Sequence, residues 1–294
     1  MRSIVKKCSM VFALAAGALA VVAAPVDFIP RNSLAVVTVN TNKVIDNQML
    51  SGMLAPKLNA EFQKNNVPLT FNDLRGQLAV GFVSKGQGNY QFCIIAEGSP
   101  KVISLVRQAI AKDAAKKGTP KSVTVNGKPG FADNKARIVF YSPNTIILQG
   151  NISGNMPWIN LRQTRKTRRY EKALLSTAVN LPAVLKVVPQ EQLAGMPPHF
   201  KDISLVGLRV DIKGNVVSAE VAVQCKTAEA ARFVMVVFDT MKQQKPELAQ
   251  TWSKIKVTNT GNTVKAVASM TIEEIMGAVA AAAAPAAPAA PAAK

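Results

Sequence analysis

The segment "LRQTRKTRRYEK" (161–172) contains the residues best suited to ligand chemistry. Its six cationic side chains fall within eleven positions: Arg162, Arg165, Lys166, Arg168, Arg169 and Lys172. Such a cluster could contact a nucleic acid, contact another polyanion, or form a solvated joint between two domains. Nucleic acid is the least favoured of the three, because only Tyr170 could stack on a base.

Candidates for catalysis are few. His199, in "MPPHF", is the only histidine, which excludes most His-built metal centres. We expect a loop imidazole there rather than a general base. Asp73 and Asp202 recur in P-x-x-F-x-D, and we expect them to brace the turn before a strand rather than to form a paired-carboxylate site. Neither G-x-S-x-G nor a phosphate-binding loop occurs, so we predict no enzyme activity and no cofactor or metal.

The start of the chain predicts export. Arg2, Lys6 and Lys7 precede an uncharged apolar run that ends in small residues, as in a secretory signal peptide (1–24). We expect cleavage at Ala23–Ala24, with Ala24–Pro25 as the alternative site and an uncleaved membrane anchor as the alternative to removal. Cleavage would lower the net charge from +19 to +16. At the other end, the Ala/Pro repeat 277–294 lacks large side chains and predicts a disordered tail or spacer.

Two cysteines remain after cleavage, Cys93 and Cys225. Export makes a disulfide conceivable. The predicted strands, however, place Cys93 in mid-strand and Cys225 at a strand end. Because these positions are not equivalent, we favour two buried thiols.

An internal duplication organises the body of the chain. "PLTFNDL" (68–74) and "PPHFKDI" (197–203) share a motif at an offset of 129 residues, and two further pairs of markers follow the same order. We predict an α+β fold in which units 34–150 and 173–276 flank a basic joint, 151–172. Each unit is expected to follow the order β-α-β-β-α-β-β, with antiparallel sheets and helices on one face.

Local signals place several elements. Asn126-Gly127 predicts a tight hairpin, and Ser99 and Thr227 predict helix N-caps. Thr271 and Glu274 predict a capping box. We expect the helix after the first strand to be broken at Gly52 and Pro56.

The order of "NLPAVLKVVPQEQLAGMPPHFKDISLVGLRV" (180–210) and "AEVAVQCKTAEAARFVMVVFDTM" (219–241) resembles a group of uncharacterised secreted bacterial proteins. The likeness covers most of 34–276. It implies a strand–helix lead-in, a long hairpin and an Ala-rich helix, often repeated, together with export. It implies no site residues.

The sequence therefore predicts a non-enzymatic binding or scaffold protein located in the periplasm, on the outer surface or outside the cell. The first alternative is an envelope polyanion-binding protein that uses Arg162–Lys172, and the second is an enzyme with an unrecognised site. The expected partner is an anionic envelope polymer or another envelope protein. Nucleic acid is not expected, and membrane contact is expected only through an uncleaved signal peptide.

Overall fold

The structure is a computed structural model that describes residues 33–84, 90–151, 173–188, 190–244 and 252–275. The predicted signal peptide and the Ala/Pro tail lie outside these ranges. The predicted joint does too, except for Asn151.

Twelve strands occur within the described ranges. They are β1 Ala35–Asn40, β2 Gly76–Ser84, β3 Tyr90–Gly98, β4 Lys121–Val125, β5 Lys128–Ala132, β6 Ala136–Ser142, β7 Thr145–Asn151, β8 Leu175–Asn180, β9 Ile203–Lys213, β10 Val216–Cys225, β11 Ile255–Thr260 and β12 Thr263–Thr271. The α-helices are α1 Asn42–Ile45, α2 Gln48–Lys64, α3 Pro100–Lys117, α4 Leu181–Leu185, α5 Gln190–Leu193 and α6 Ala228–Gln244. Two 3-10 helices, Phe71–Leu74 and Pro198–Asp202, precede β2 and β9. A helical turn over 272–275 follows β12, where Thr271 and Glu274 form the predicted capping box.

All twelve strands belong to one antiparallel sheet, in the order β11-β12-β10-β9-β8-β1-β2-β3-β7-β6-β5-β4. The chain is thus an α+β protein, as predicted. The first and second halves were expected to have separate sheets. Instead β1 pairs with β8, with Val37 opposite Thr177. The pairing has a physical reason: each strand would otherwise be an edge of its own half with unpaired backbone groups.

The two halves differ in strand number. Residues 33–151 contain seven strands, two more than the five of the expected unit order, and the two extra strands are the hairpin β4–β5 that Asn126-Gly127 predicted, between α3 and β6. This hairpin turns at Asn126-Gly127, and both residues have positive φ (48° and 74°), as a two-residue hairpin turn requires. In the second half the five strands β8 to β12 follow the predicted order, although two short helices, α4 and α5, replace the single one expected.

The predicted break at Gly52 and Pro56 is wrong. The helical segment is instead interrupted earlier, between α1 and α2. There the side chain of Asn47 accepts a hydrogen bond from the N–H of Leu50 (2.9 Å) and caps α2. From there α2 runs through both residues to Lys64. Hydrophobic packing outweighs the poor helix propensity of glycine and proline, because Leu50, Leu54 and Leu58 lie against the buried cluster of Val44, Ile45 and Phe71.

The long helices α3 and α6 cover the sheet. Ile103, Val106 and Ile110 of α3 pack on Ile138, Phe140 and Ile146. Ala230, Ala231 and Val234 of α6 pack on Ile203, Val223 and Val264. Both predicted N-caps are present: Ser99 Oγ accepts from the N–H of Val102, and Thr227 Oγ1 from that of Ala230. A further buried cluster in the first half contains Ala79, Cys93, Ile95 and Ile147, with Val125 of β4 packed against it.

Candidate functional site

The residues that the sequence selected as a polyanion contact, Arg162, Arg165, Lys166, Arg168, Arg169 and Lys172, lie outside the described residues. Their role stays a prediction.

Asp73 has the bracing role that the sequence predicted. Its Oδ2 accepts hydrogen bonds from Thr70 N (2.7 Å), Thr70 Oγ1 (2.9 Å) and Lys101 Nζ (2.9 Å), which fixes the 3-10 helix before β2. Partial burial acts to raise the pKa of the Asp73 carboxyl. The hydrogen bonds from Lys101 and Thr70 outweigh that effect and hold the pKa below its ordinary value.

Asp202 and His199 lie together in the second 3-10 helix, not in a loop. The main-chain carbonyl of Asp202 accepts a hydrogen bond from Lys226 N (2.7 Å), whereas Asp73 accepts its hydrogen bonds through the side chain. The His199 ring lies 5.4 Å from that of Phe233, between ring centroids. Asp73 thus contacts Lys101 of the first half, whereas the main chain of Asp202 contacts Lys226 of the second.

A cluster of buried polar side chains extends across the neighbouring strands β3, β7 and β6. Gln91 and Gln149 are each 1% exposed, and Gln149 Oε1 accepts from Nε of Arg137. Cys93, opposite Gln149 in the register, shares a hydrogen bond with it. Burial raises the pKa of the Cys93 thiol to about 12, and Gln149 and Arg137 only partly offset the rise. Cys93 therefore stays protonated at neutral pH and lacks the thiolate that a nucleophile needs.

Cys225 is also a buried free thiol, so both cysteines are buried as predicted. Burial raises its pKa, and the charge of Asp202 raises it further. Within the described ranges, no three His, Cys, Asp or Glu side chains come together as a metal site. Nor does any helix of those ranges have both the length and the apolar character needed to cross a bilayer.

Two acids of the second half, Asp211 and Glu220, are paired with nearby cations, one of which comes from the first half. Asp211 contacts Lys43 Nζ and Arg209 Nη2, each at 3.2 Å. Glu220 lies 3.6 Å from Lys265 Nζ. Arg209 and Glu220 are cross-strand neighbours in the register of β9 and β10. This network has acids and bases in near balance, so it provides little net charge for a ligand.

The first half, in contrast, contains a surface with a large net positive charge. Residues 99–137 include nine Lys or Arg and only two Asp, a net charge of +7. We use the name basic edge for six exposed lysines of this segment: Lys112, Lys116, Lys117, Lys121, Lys128 and Lys135. Of these, only Lys117 has an ion-pair partner among the described residues, Asp113 at 3.1 Å. The charge of the basic edge is therefore largely uncompensated.

Three tight connections hold the basic edge together. The left-handed Gly118 (φ 67°) ends α3, and only Gly118–Pro120 separate the helix from Lys121 at the start of β4. Lys121 lies opposite Ala132, the last residue of β5. The next turn carries Lys135, and there Asp133 Oδ1 accepts from the N–H groups of Lys135 and Ala136, both at 2.7 Å. Asp133 is thus engaged by the backbone.

An aromatic side chain lies beside this surface. Tyr141 is 40% exposed, and Nζ of Lys128 lies 5.5 Å from its ring centroid. On the helix side, the guanidinium of Arg107 lies 5.6 Å from the Phe140 ring centroid. Both contacts are cation–π pairs that orient cationic groups at the surface.

The sequence interpretation did not identify the basic edge. Its signal was the excess of lysine over acid across 99–137, which was readable from the sequence. The six lysines there are spread over one helix, two strands and one turn, whereas the six cations of 162–172 fall within eleven successive positions.

Comparisons with known proteins add no function. No protein-family model matches the chain, and no curated protein matches it. Among solved structures, crystal form I of TP0453 is similar, with 10% sequence identity, coverage of 88% of this chain and 97% of that chain, and a TM-score of 0.44. Crystal form III has 9% identity, coverage of 88% and 98%, and a TM-score of 0.42. Crystal form IV has 8% identity, coverage of 87% and 96%, and a TM-score of 0.42.

Proposed function

We propose that the protein is an exported, non-enzymatic binding protein that holds an anionic partner on the basic edge. The proposal rests on the uncompensated charge of that surface: six exposed lysines, of which only Lys117 is paired among the described residues. Clustered cations of one sign raise the local concentration of anionic partners and increase their association rate.

Export determines which anions are available. The signal peptide expected over 1–24 would take the chain out of the cytoplasm. Anionic envelope polymers and acidic proteins are then the candidate partners rather than nucleic acid. Arg162–Lys172, if exposed, would add a second cationic element to the same function.

We infer further that the two halves are copies of one unit with their helices on the same face of the sheet. Strands β1, β2, β3, β7 and β6 neighbour one another in the same order as β8, β9, β10, β12 and β11, which supports the inference. A second support is the strand register, in which successive cross-strand neighbours link Ile146, packed with α3, to the side of the sheet of Val223, packed with α6. The copies differ in the inserted hairpin β4–β5.

Retention of the mature protein on immobilised heparin, eluted with a salt gradient, tests the proposed surface. Lys112, Lys116, Lys121 and Lys128 are changed together to Gln. We expect this variant to elute at clearly lower salt, because screened electrostatic contacts weaken with each charge removed. Stability should change little, since exposed charges contribute little to folding.

A matched control keeps the net charge equal. Lys57, Lys64, Lys213 and Lys226 are also exposed, and changing them to Gln removes the same number of charges away from the basic edge. The control should elute close to the unaltered protein. Equal loss of retention in both variants would mean that only total charge matters, and the basic edge would then not be the binding surface.

A further inference from the structure

Strand β4 lies at one end of the sheet and, among the strands of the described ranges, pairs with β5 alone. It pairs with β5 across the two-residue turn at Asn126-Gly127, with Val125 opposite Lys128 and Lys121 opposite Ala132. Val125 packs against the buried cluster beneath, which fixes the strand in place. Among the described residues, the other side of this ordered strand is therefore unpaired.

The register determines which backbone groups are unused. In an antiparallel hairpin with a two-residue turn, the residues that flank the turn exchange both hydrogen bonds, and every second pair does the same. Lys121, Val123 and Val125 thus bond to β5, whereas Ser122 and Thr124 direct their N–H and C=O groups outward. Both residues are exposed, and these outward groups have no partner among the described residues. Two donors and two acceptors are in place for another strand.

Charge selects the occupant of this edge. Lys121 and Lys128 flank the two outward-facing residues, and Lys112 and Lys116 lie on the helix that leads into the strand. A second copy of the chain paired through β4 would bring its own Lys121 and Lys128 against these cations. An acidic segment would instead meet charges of opposite sign.

We propose that β4 binds an extended acidic segment of another exported polypeptide as a thirteenth strand of the sheet. Main-chain hydrogen bonds to Ser122 and Thr124 supply the affinity, and the lysines of the basic edge select acidic side chains. This inference rests on the proposed function, because it uses the same surface, and it specifies the partner as polypeptide.

A seven-residue peptide of alternating Glu and Val is the probe, with binding to the mature full chain measured by calorimetry at low salt. Ser122→Pro with Thr124→Pro removes the two outward N–H groups and leaves every charge in place. Proline is tolerated on an edge strand whose N–H faces solvent. We expect at least tenfold weaker peptide binding and unchanged heparin retention. Ser122→Ala with Thr124→Ala keeps both N–H groups and should bind the peptide normally.

A second measurement does not depend on the folding of the proline variant. The same peptide, N-methylated at every residue, keeps its charge but has no backbone N–H to donate from either edge of the strand. It should bind the unaltered protein at least tenfold more weakly.

The outcomes separate the two proposals. Equal binding of the methylated and unmethylated peptides would overturn strand pairing. Heparin retention that depends on the basic edge, without peptide binding, would also overturn it, would leave the proposed function standing and would indicate a non-peptide polyanion. If the unaltered protein neither binds the peptide nor shows heparin retention that depends on the basic edge, both proposals are overturned.

Discussion

The hydrogen bond between Thr38 and Ser176 joins the two halves of the sheet. Their hydroxyl oxygens lie 2.5 Å apart, and the residues are 2% and 3% exposed. They are direct cross-strand neighbours in β1 and β8. Thr38→Val and Ser176→Ala each remove one hydroxyl with little change in volume, so each leaves the other hydroxyl buried without this partner.

The expected loss of stability in each variant follows from the burial of the two hydroxyls. A buried hydroxyl that loses its partner costs about 1–3 kcal/mol, whereas removing both partners together is much less harmful. Each single variant should therefore lose about 1–3 kcal/mol in the free energy of unfolding. The double variant should lose clearly less than the sum, with a coupling energy of about 0.5–3 kcal/mol.

Urea denaturation of the mature protein, followed by circular dichroism, measures all four members of the cycle. Thr258→Val, at an exposed position of β11, serves as the control and should change stability by less than about 0.5 kcal/mol. If the losses from Thr38→Val and Ser176→Ala simply add, the two hydroxyls do not interact, and the pairing of β1 with β8 would be wrong.

Three further predictions concern buried groups and close packing. Because burial raises the pKa of Cys93 to about 12, its thiol should resist Ellman's reagent at pH 8 until the protein unfolds. Stability should also fall as pH rises above about 9, where the unfolded thiol ionises first, and Cys93→Ala should lessen that fall in alkaline melting experiments. Asp73→Asn should lower stability by about 1 kcal/mol at pH 7. Because the pKa of Asp73 is lowered on folding, its contribution is present above the ordinary value of 3.8 and is lost as pH falls through the folded pKa; a penalty that persists at pH 2 would contradict this. Gly130→Ala should cost about 1–3 kcal/mol, since the new Cβ would lie 2.3 Å from the carbonyl oxygen of Ile138; an unchanged melting temperature would contradict this packing.

Local sequence signals predicted those features whose energy depends on a few neighbouring residues. Asn126-Gly127 gave the hairpin because its turn needs positive φ at both positions. Ser99 and Thr227 gave helix starts because a cap satisfies backbone groups two or three residues away. Asp73 was placed correctly for the same reason, since its main contacts lie at Thr70.

Long-range pairing was decided only by the tertiary structure. Thr38 and Ser176 lie 138 positions apart, and alternation along β1 and β8 is equally compatible with two separate sheets. The continuation of α2 through Pro56 likewise depends on packing against Phe71, which helix propensity does not register. The arrangement of the basic edge also depends on the fold: Lys112, Lys121 and Lys135 belong to different elements, and α3 packs on β6 and β7 next to the hairpin β4–β5 at the end of the sheet.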